Sequence, residues 1–248
     1  MGTWQSYFSL NFQILYWVFN GINGEQRYKL SQVFQQIVRI GVQALPMVCL
    51  TALSIGLTLA MQSARELGRL GASEYVPDSV SLTLLRELGP LLIAVIVIGR
   101  SGSAVTAELG TMKVSEEIEA LNVMAINPVR YLIVPRFIAM LIMLPVMTVI
   151  GNYVGMAGSW IICHFTLDMN TATYIIRSLD RAHPWDLYTG LIKSFVFAWL
   201  IITIACNEGL EVKGGAEGVG IATTTSVVLS LLAMLIANSI LTALFFFS

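Results

Sequence analysis

The sequence predicts an all-α integral membrane protein with about five transmembrane helices, an amino-terminal interfacial helix and one short helix outside the membrane. Of its 248 residues, 56% are hydrophobic and only 12% are charged, and the mean hydropathy is +0.76. Soluble domains carry about 25% charged residues. Apolar stretches long enough to cross a bilayer as a helix recur along the chain. These candidate spans are residues 40–61, 81–104, 131–165, 187–206 and 222–247.

The amino-terminal segment is rich in aromatic residues but contains many polar ones. Residues 5–20 have no basic region and no small-residue cleavage site, which argues against a cleavable signal peptide. Aromatic rings are favoured at the membrane–water boundary, so we expect a helix lying in the interface. A short first span is the alternative. We therefore assign residues 1–39 to an interfacial helix and linker, and residues 40–248 to a transmembrane domain.

The third candidate span is too long for one straight helix perpendicular to the membrane. It contains Pro145 and the pair Gly151 and Gly155, four residues apart. Helices typically bend at proline and glycine residues. We expect this helix to tilt, to bend or to extend beyond the bilayer.

Lysine and arginine in short loops predict the orientation, because they favour the cytoplasmic side. A cytoplasmic amino terminus places eight of these residues inside and four outside, and puts the carboxyl terminus outside. The inside set is Arg27, Lys29, Arg39, Arg100, Lys113, Arg130, Arg136 and Lys213. The outside set is Arg65, Arg69, Arg177 and Arg181.

The segment between the second and third spans, residues 108–127, has helical periodicity. Apolar residues recur at spacings of four, three and four at Val114, Ile118, Leu121 and Ala125. The acidic residues Glu116, Glu117 and Glu119 point elsewhere, and Pro128 limits the helix. The pattern predicts a short amphipathic helix, which is either a linker on the lipid headgroups or a docking helix for a cytoplasmic partner.

Charged residues lie within two of the spans. The thirteen residues between Arg86 and Arg100 cover about 20 Å, less than the roughly 30 Å apolar core, so Arg86 and Glu87 are drawn into the bilayer. Lys193 lies about 9 Å into the fourth span. These side chains either reach back to the interface or form a polar site in the outer half of the membrane, suited to an anionic headgroup.

Small residues concentrate at two places where helices are expected to pack closely. The first set includes Gly99, Gly102 and Ser103, and the second includes Gly151 and Gly155. Small side chains allow close helix approach in lipid. The packing is either within one subunit or between two subunits.

Catalytic and metal-binding signals are weak. Cys49, Cys163 and Cys206 are far apart in apolar surroundings, which argues against a disulfide framework or a zinc site. The glycine-rich loop after the fourth span lacks the phosphate-binding pattern of ATPases. With a net charge of −1, nothing favours nucleic acid.

An intramembrane serine protease is a weakly supported alternative. Residues 99–102, Gly-Arg-Ser-Gly, resemble the GxSG motif of these enzymes, whose serine needs a histidine base within reach. The predicted topology puts Ser101 on the inner side and His164 on the outer side, and places His183 in a loop.

The stretch SLTLLRELGPLLIAVIVIGRSGSAVTAELGTMKVSEEIEALNVMAINPVRYLIVPRF, residues 81–137, closely resembles the signature region of the MlaE/YrbE permease family. The resemblance continues through LIKSFVFA (191–198) and the ATTTSVV and LTALFF segments of the last span. It covers roughly residues 40–247.

The resemblance implies the membrane subunit of an ABC transporter that moves lipids between membranes. Such permeases form homodimers or pairs of homologous subunits, and two cytoplasmic ATPase subunits bind ATP and Mg²⁺. An MCE-domain protein associates on the outer side, and some systems add a STAS-domain protein. Substrates are phospholipids in Gram-negative bacteria and other lipids in actinobacteria and plastids. The implied location is the bacterial inner membrane, or the plastid inner envelope in a photosynthetic eukaryote.

The resemblance also implies roles for particular residues. The segment matching the coupling helix, which fits a groove in the ATPase, contains Glu108, Lys113, Val114, Glu116, Glu117, Ile118 and Leu121. Arg86, Glu87 and Lys193 match polar groups near the lipid pathway. Two other functions are alternatives to an ATPase-driven permease. The chain is then either a lipid channel that needs no ATPase or a scaffold for the MCE protein. No cofactor is expected in this chain.

Overall fold

The computed structural model describes residues 3–23, 30–181 and 184–246, and every regular element in these ranges is helical. Five helices are long and apolar enough to cross a membrane, which confirms the predicted fold class. In chain order the elements are α1 (Thr3–Asn23), α2 (Leu30–Arg69), α3 (Ser73–Val114), α4 (Glu117–Val123), α5 (Val129–Thr166), α6 (Thr171–Arg181), α7 (Pro184–Leu210) and α8 (Gly215–Phe246). The long helices are α2, α3, α5, α7 and α8.

The long helices extend beyond the predicted apolar stretches. Helix α2 begins at Leu30, so residues 30–39, which the sequence assigned to a linker, form its first turns. Helix α5 continues on both sides of Pro145. Hydropathy marks only the part of a helix that suits lipid, whereas lysine, arginine, glutamate and glutamine at its ends are good helix formers. Helix bounds therefore exceed the predicted spans.

The predicted continuous helix after the second span is broken near its middle. Helix α3 ends at Val114, Glu116 has a left-handed backbone with φ of 60°, and α4 starts at Glu117. Ile118 is buried, whereas Val114 is 42% exposed and Ala125 lies beyond α4. The single apolar face predicted across these residues is wrong, because a left-handed residue turns the chain away from the helix axis.

Within the described residues, four π-helical turns occur in three of the long helices, and each of these turns includes an arginine. The turns are Ile37–Gly41, Leu84–Leu88, Ile98–Gly102 and Val129–Ile133. A π-helical turn inserts one extra residue, redirects the side chains around it and is frequent at functional sites. The four arginines are Arg39, Arg86, Arg100 and Arg130.

The chain divides into two compact units, and each long helix contributes a segment to both. Unit 1 comprises Met1–Ala44, Val97–Met143 and Val196–Ile240. Its core is apolar, with fully buried side chains that include Phe137, Ile201 and Leu109. The hydroxyl of Thr106 donates to the carbonyl oxygen of Ala205 at 3.0 Å and accepts from the hydroxyl of Ser226 at 2.9 Å, which satisfies a buried polar group inside this core.

Among the described residues of unit 1, two long-range hydrogen bonds join α1 to α7. Tyr7 donates its hydroxyl to Glu208 at 2.5 Å, and Trp199 donates its ring N–H to Asn11 at 3.0 Å. Burial, reinforced by the Glu208 carboxylate, raises the pKa of Tyr7 well above its usual value, so the phenol keeps its proton. One face of α1 buries Leu10 and Ile14, while Phe8, Phe12 and Tyr16 are exposed.

Unit 2 comprises Leu45–Ile96, Leu144–Phe195 and Leu241–Ser248. Its core joins α2, α3, α5 and α6 through the buried residues Ala60, Val76, Val80, Leu84, Cys163 and Tyr174. Small residues let the helix backbones meet, because a Cβ atom at Gly56 would collide with the carbonyl oxygen of Gly155. The hydroxyl of Tyr174 donates to the carbonyl oxygen of Met156 at 2.8 Å and ties α6 to α5.

Candidate functional site

Lys193 is at the centre of a buried polar cluster in unit 2. It is only 1% exposed, so it does not reach back to the interface. Its ammonium donates to the carboxylate of Glu87, to the carbonyl oxygen of Arg86 at 3.1 Å and to the hydroxyl of Thr242 at 2.9 Å. Thr242 in turn donates to Glu87 at 2.9 Å. All three donors of the ammonium therefore have a partner.

Arg86 and Glu87 are adjacent but contact different helices. The guanidinium of Arg86 pairs with Asp186, which is fully buried near the start of α7, while Glu87 pairs with Lys193. Both residues lie in the π-helical turn Leu84–Leu88, which spreads neighbouring side chains apart. The side chain of Arg86 remains 48% exposed and that of Glu87 35% exposed.

This cluster forms one wall of a cavity of about 250 Å³. The lining residues are Arg86, Glu87, Trp185, Thr189, Lys193, Thr242 and Phe245. Because Arg86 and Lys193 are matched by Asp186 and Glu87, the cluster has no excess positive charge. The anionic preference that the sequence predicted is therefore not provided by net charge. The cavity instead offers one accessible guanidinium and one accessible carboxylate, beside two aromatic rings.

Two members of the cluster were missed in the sequence. Neither Asp186, beside the start of the fourth candidate span, nor Thr242, within the fifth, was singled out from the sequence. Thr242 belongs to no local motif with Arg86 or Lys193. Asp186 lies seven positions, or about two helical turns, before Lys193 at the start of an apolar stretch, and this spacing is the signal that could have indicated it.

A second ionic cluster, in unit 1, contains Glu108. Its carboxylate accepts from Arg39 at 2.6 Å and from Arg136 at 3.1 Å. Arg136 is 3% exposed and also donates to the carbonyl oxygen of Leu132 at 2.7 Å. The sequence predicted that Glu108 would face an ATPase, but its side chain pairs with arginines of α2 and α5. These pairs join residues 28 or more positions apart, so no local pattern could reveal them.

The other residues of the predicted coupling segment lie at the end of α3 and on α4. Lys113 donates to Glu119 at 2.9 Å, and Ser115 donates to Glu117 at 3.1 Å. Ile118 is buried and Leu121 is half-buried. The acidic residues Glu116, Glu117 and Glu119 are all exposed, as the periodicity predicted.

The predicted packing residues have different environments. A Cβ atom at Gly102 would lie 3.3 Å from Ile201, and one at Gly155 would lie 3.1 Å from Leu84. A Cβ atom at Gly151 would overlap the side chain of Ile93. By contrast, a Cβ atom at Gly99 would meet nothing within 4 Å in the described chain, and Ser103 donates to carbonyl oxygens of its own helix.

The residues of the serine protease alternative have other partners. The hydroxyl of Ser101 donates to the carbonyl oxygen of Ile40 at 2.8 Å. The Nδ1 atom of His164 lies 3.1 Å from the carbonyl oxygen of Met169. His183, like Arg27 and Lys29 of the orientation argument, lies outside the described residues. Nothing in these contacts supports a Ser–His pair.

Comparisons with known proteins identify one family. The family model described as Permease MlaE matches residues 33–244. A "Probable ABC transporter permease protein" of Rickettsia prowazekii (strain Madrid E) is 39% identical over 217 residues, 88% of this chain and 84% of the relative. A "Probable ABC transporter permease protein" of Synechocystis is 40% identical over 220 residues, which are 89% of this chain and 84% of the relative. The "Protein TRIGALACTOSYLDIACYLGLYCEROL 1, chloroplastic" of Arabidopsis thaliana is 40% identical over 213 residues, covering 86% and 61%.

Proposed function

The chain belongs to the MlaE permease family. From that premise we propose that it is the membrane subunit of an ABC transporter that moves phospholipid and is driven by a partner ATPase. The relatives named as ABC transporter permeases support the transporter class. The name of the Arabidopsis relative includes the name of a galactolipid, and this supports the proposal that the substrate is a lipid. In this proposal the chain itself catalyses no reaction, and ATP and Mg²⁺ bind to the partner.

The observation that carries the proposal is the mixed character of the cavity in unit 2. Arg86 is suited to a phosphate and Glu87 to an ammonium, because each side chain remains partly accessible. Trp185 and Phe245 line the same cavity and suit the apolar part of a lipid. A zwitterionic phospholipid combines these groups, so it fits the balanced charges better than a purely anionic ligand.

The partners follow from two exposed regions. Glu116 and Glu117 are exposed beside the buried anchor Ile118, which suits a groove with basic residues in a cytoplasmic ATPase dimer. Helix α8 exposes a long apolar face, which suits a second copy of this permease; its exposed residues include Ile221, Leu232, Leu235, Ile236, Ile240 and Leu244. An MCE-domain protein, and in some systems a STAS-domain protein, are proposed from the family resemblance alone.

The proposed location is a bacterial inner membrane, with the amino terminus in the cytoplasm and the carboxyl terminus outside. The Arabidopsis relative is chloroplastic, so the plastid inner envelope is the corresponding membrane in a photosynthetic eukaryote. The excess of lysine and arginine on the proposed inner flanks supports this orientation.

The proposal is tested by transport in proteoliposomes that contain the chain and its ATPase. We expect ATP-dependent transfer of a fluorescent phospholipid, reduced about tenfold or more in Lys193→Met, because the variant releases Glu87 and reshapes the cavity. Arg69→Gln is the control, since Arg69 is exposed and pairs only weakly with Glu66. Unchanged transport in Lys193→Met would contradict the site, and transfer without the ATPase would indicate a channel.

The coupling role is tested separately by co-purification with the ATPase. Reversing the charges with Glu116→Lys and Glu117→Lys should weaken the association, because like charges in an interface repel. Glu66→Lys is the matched control, because Glu66 is an exposed acid in unit 2. Equal recovery of the ATPase with both proteins would refute the docking role of these two residues.

A further inference from the structure

A second cavity, in unit 1, contains positive charge that its own carboxylate does not balance. Its volume is about 160 Å³. The polar residues in its lining are Gln36, Arg39, Gln43, Arg100, Ser101 and Glu108, and we call this cavity the basic cleft. Arg136 lies against the cleft through its ion pair with Glu108. Three arginines against one glutamate leave an excess of two positive charges.

Arg100 is the residue that most needs an additional partner. Its guanidinium makes no hydrogen bond or ion pair within the described ranges, although the side chain is only partly exposed. The single carboxylate of the cleft is already shared by Arg39 and Arg136. A partly buried arginine is costly unless it is paired, and its planar fork matches the oxygens of a phosphate. A phosphate group would therefore satisfy Arg100.

The cleft is held in shape by two π-helical turns that contact each other. The turn Ile37–Gly41 supplies Arg39, and the turn Ile98–Gly102 supplies Arg100. Ser101 donates to the carbonyl oxygen of Ile40 at 2.8 Å and fixes one turn on the other. Such turns redirect side chains and recur at binding sites. Both arginines are thus presented to one cavity by ordered backbone.

Gln36 provides a complementary group. Its amide oxygen is buried and has no hydrogen-bond partner in the described chain. A buried acceptor without a donor costs free energy, so a ligand that brings a donor is favoured. The glycerol hydroxyl or the ammonium of a phospholipid headgroup lies close to its phosphate and could supply this donor.

A groove of about 480 Å³ adjoins the basic cleft, shares Arg39 and Gln43 with it and is also lined by Ser31 and Gln35. Its walls include Phe34 and Val38, which are 64% and 49% exposed. A free phosphate would use the cleft and leave the groove unused. A phospholipid would use both, because it joins a phosphate to an acyl chain.

We propose that the basic cleft binds the phosphate of a phospholipid between Arg39 and Arg100, with one acyl chain along Phe34 and Val38. Gln36 accepts a hydrogen bond from the headgroup. This lipid is additional to the one proposed for the cavity of Arg86 and Lys193, because none of the lining residues is shared. Its binding does not depend on transport, so it can be tested on the purified chain.

The experiment titrates the detergent-purified full chain with dihexanoyl phosphatidylglycerol below its micellar concentration, followed by calorimetry. We expect Arg100→Gln and Arg39→Gln each to weaken binding about tenfold, because each removes a charge-assisted hydrogen bond. Arg65→Gln, at an exposed arginine outside the cleft, should bind like the unaltered chain. The second cleft variant, Arg39→Gln, is included because the Arg39 side chain is 56% exposed, so its replacement should not prevent folding.

Glycerol 3-phosphate and dihexanoylglycerol separate the two possible sources of the phosphate. The proposal expects both compounds to bind much more weakly than the intact lipid, and expects Phe34→Ser to weaken only the lipid. Equal binding of glycerol 3-phosphate would overturn the lipid assignment in favour of a soluble phosphate. Unchanged lipid affinity in both arginine variants would overturn the site itself. Neither result concerns the cavity lined by Arg86 and Lys193, so neither would contradict the proposed transport function.

Discussion

The two ionic clusters of this permease are built from similar parts but differ in charge balance. In unit 2, Arg86 and Lys193 are matched by Asp186 and Glu87. In unit 1, Arg39, Arg100 and Arg136 are matched only by Glu108. Both clusters place an arginine on a π-helical turn of α3.

The difference indicates how each cluster meets the cost of charge in an apolar helix bundle. Burying a charge is costly, and a protein partner or a ligand can offset that cost. The unit 2 cluster is internally satisfied, so a ligand there must compete with existing ion pairs. In the unit 1 cluster, Arg100 has no hydrogen-bond or ion-pair partner in the described ranges, so a phosphate can bind its guanidinium without displacing a carboxylate. A ligand is therefore expected to rearrange more ion pairs in unit 2 than in unit 1.

The largest effect is expected from reversing the central charge of the unit 2 cluster. Lys193→Glu would place two carboxylates together in a buried site and should lower the free energy of unfolding by about 3–5 kcal/mol. The double variant Lys193→Glu with Glu87→Lys should recover more than half of that loss. Unfolding in mixed micelles with a denaturing detergent measures both values. No recovery in the double variant would show that the pair is not coupled.

The next effect separates the two arginines that share Glu108. Arg136→Gln should lower the free energy of unfolding by about 2–3 kcal/mol, because Arg136 is buried and also caps the carbonyl oxygen of Leu132. Arg39→Gln should cost about 0.5 kcal/mol or less, because its side chain is 56% exposed. The same unfolding assay compares them, and equal losses would contradict the assigned difference in burial.

A smaller loss is expected from Thr242→Val, which keeps the shape of the side chain but removes the hydroxyl between Lys193 and Glu87. The cost should be about 1–2 kcal/mol, since both partners are charged. Thr106→Val in unit 1, whose partners are neutral, is the matched comparison and should cost about 1 kcal/mol. A larger loss at Thr106 would reverse the ranking of the two units.

The smallest effect lies outside both clusters. Glu116→Gly should raise the free energy of unfolding by about 1 kcal/mol, because glycine adopts the φ of 60° without the steric cost that a side chain incurs. Ala120→Gly, inside α4, should instead lower it by about 1 kcal/mol. Thermal unfolding of the two variants distinguishes them by sign. A shift in the same direction for both would argue against strain at Glu116.

Local pattern was sufficient for the long helices and the charged positions within them. Apolar stretches of about 20 residues predicted all five long helices, because lipid requires the backbone to satisfy its own hydrogen bonds within the segment. The same reasoning singled out Arg86, Glu87 and Lys193 from their positions in apolar surroundings. It did not predict the break at Glu116, because that residue type alone gives no sign of a left-handed backbone.

The sequence by itself determined that the chain is a helical membrane protein of the MlaE permease type, and which of its charges lie in unfavourable places. Only the tertiary structure decided which charges meet. Asp186 pairs with Arg86 across 100 positions of the chain, and Thr242 bonds Lys193 across 49 positions. Glu108 pairs with Arg39 and Arg136. Hydropathy is a local property of a segment, whereas the pairing of charges depends on which helix faces become neighbours.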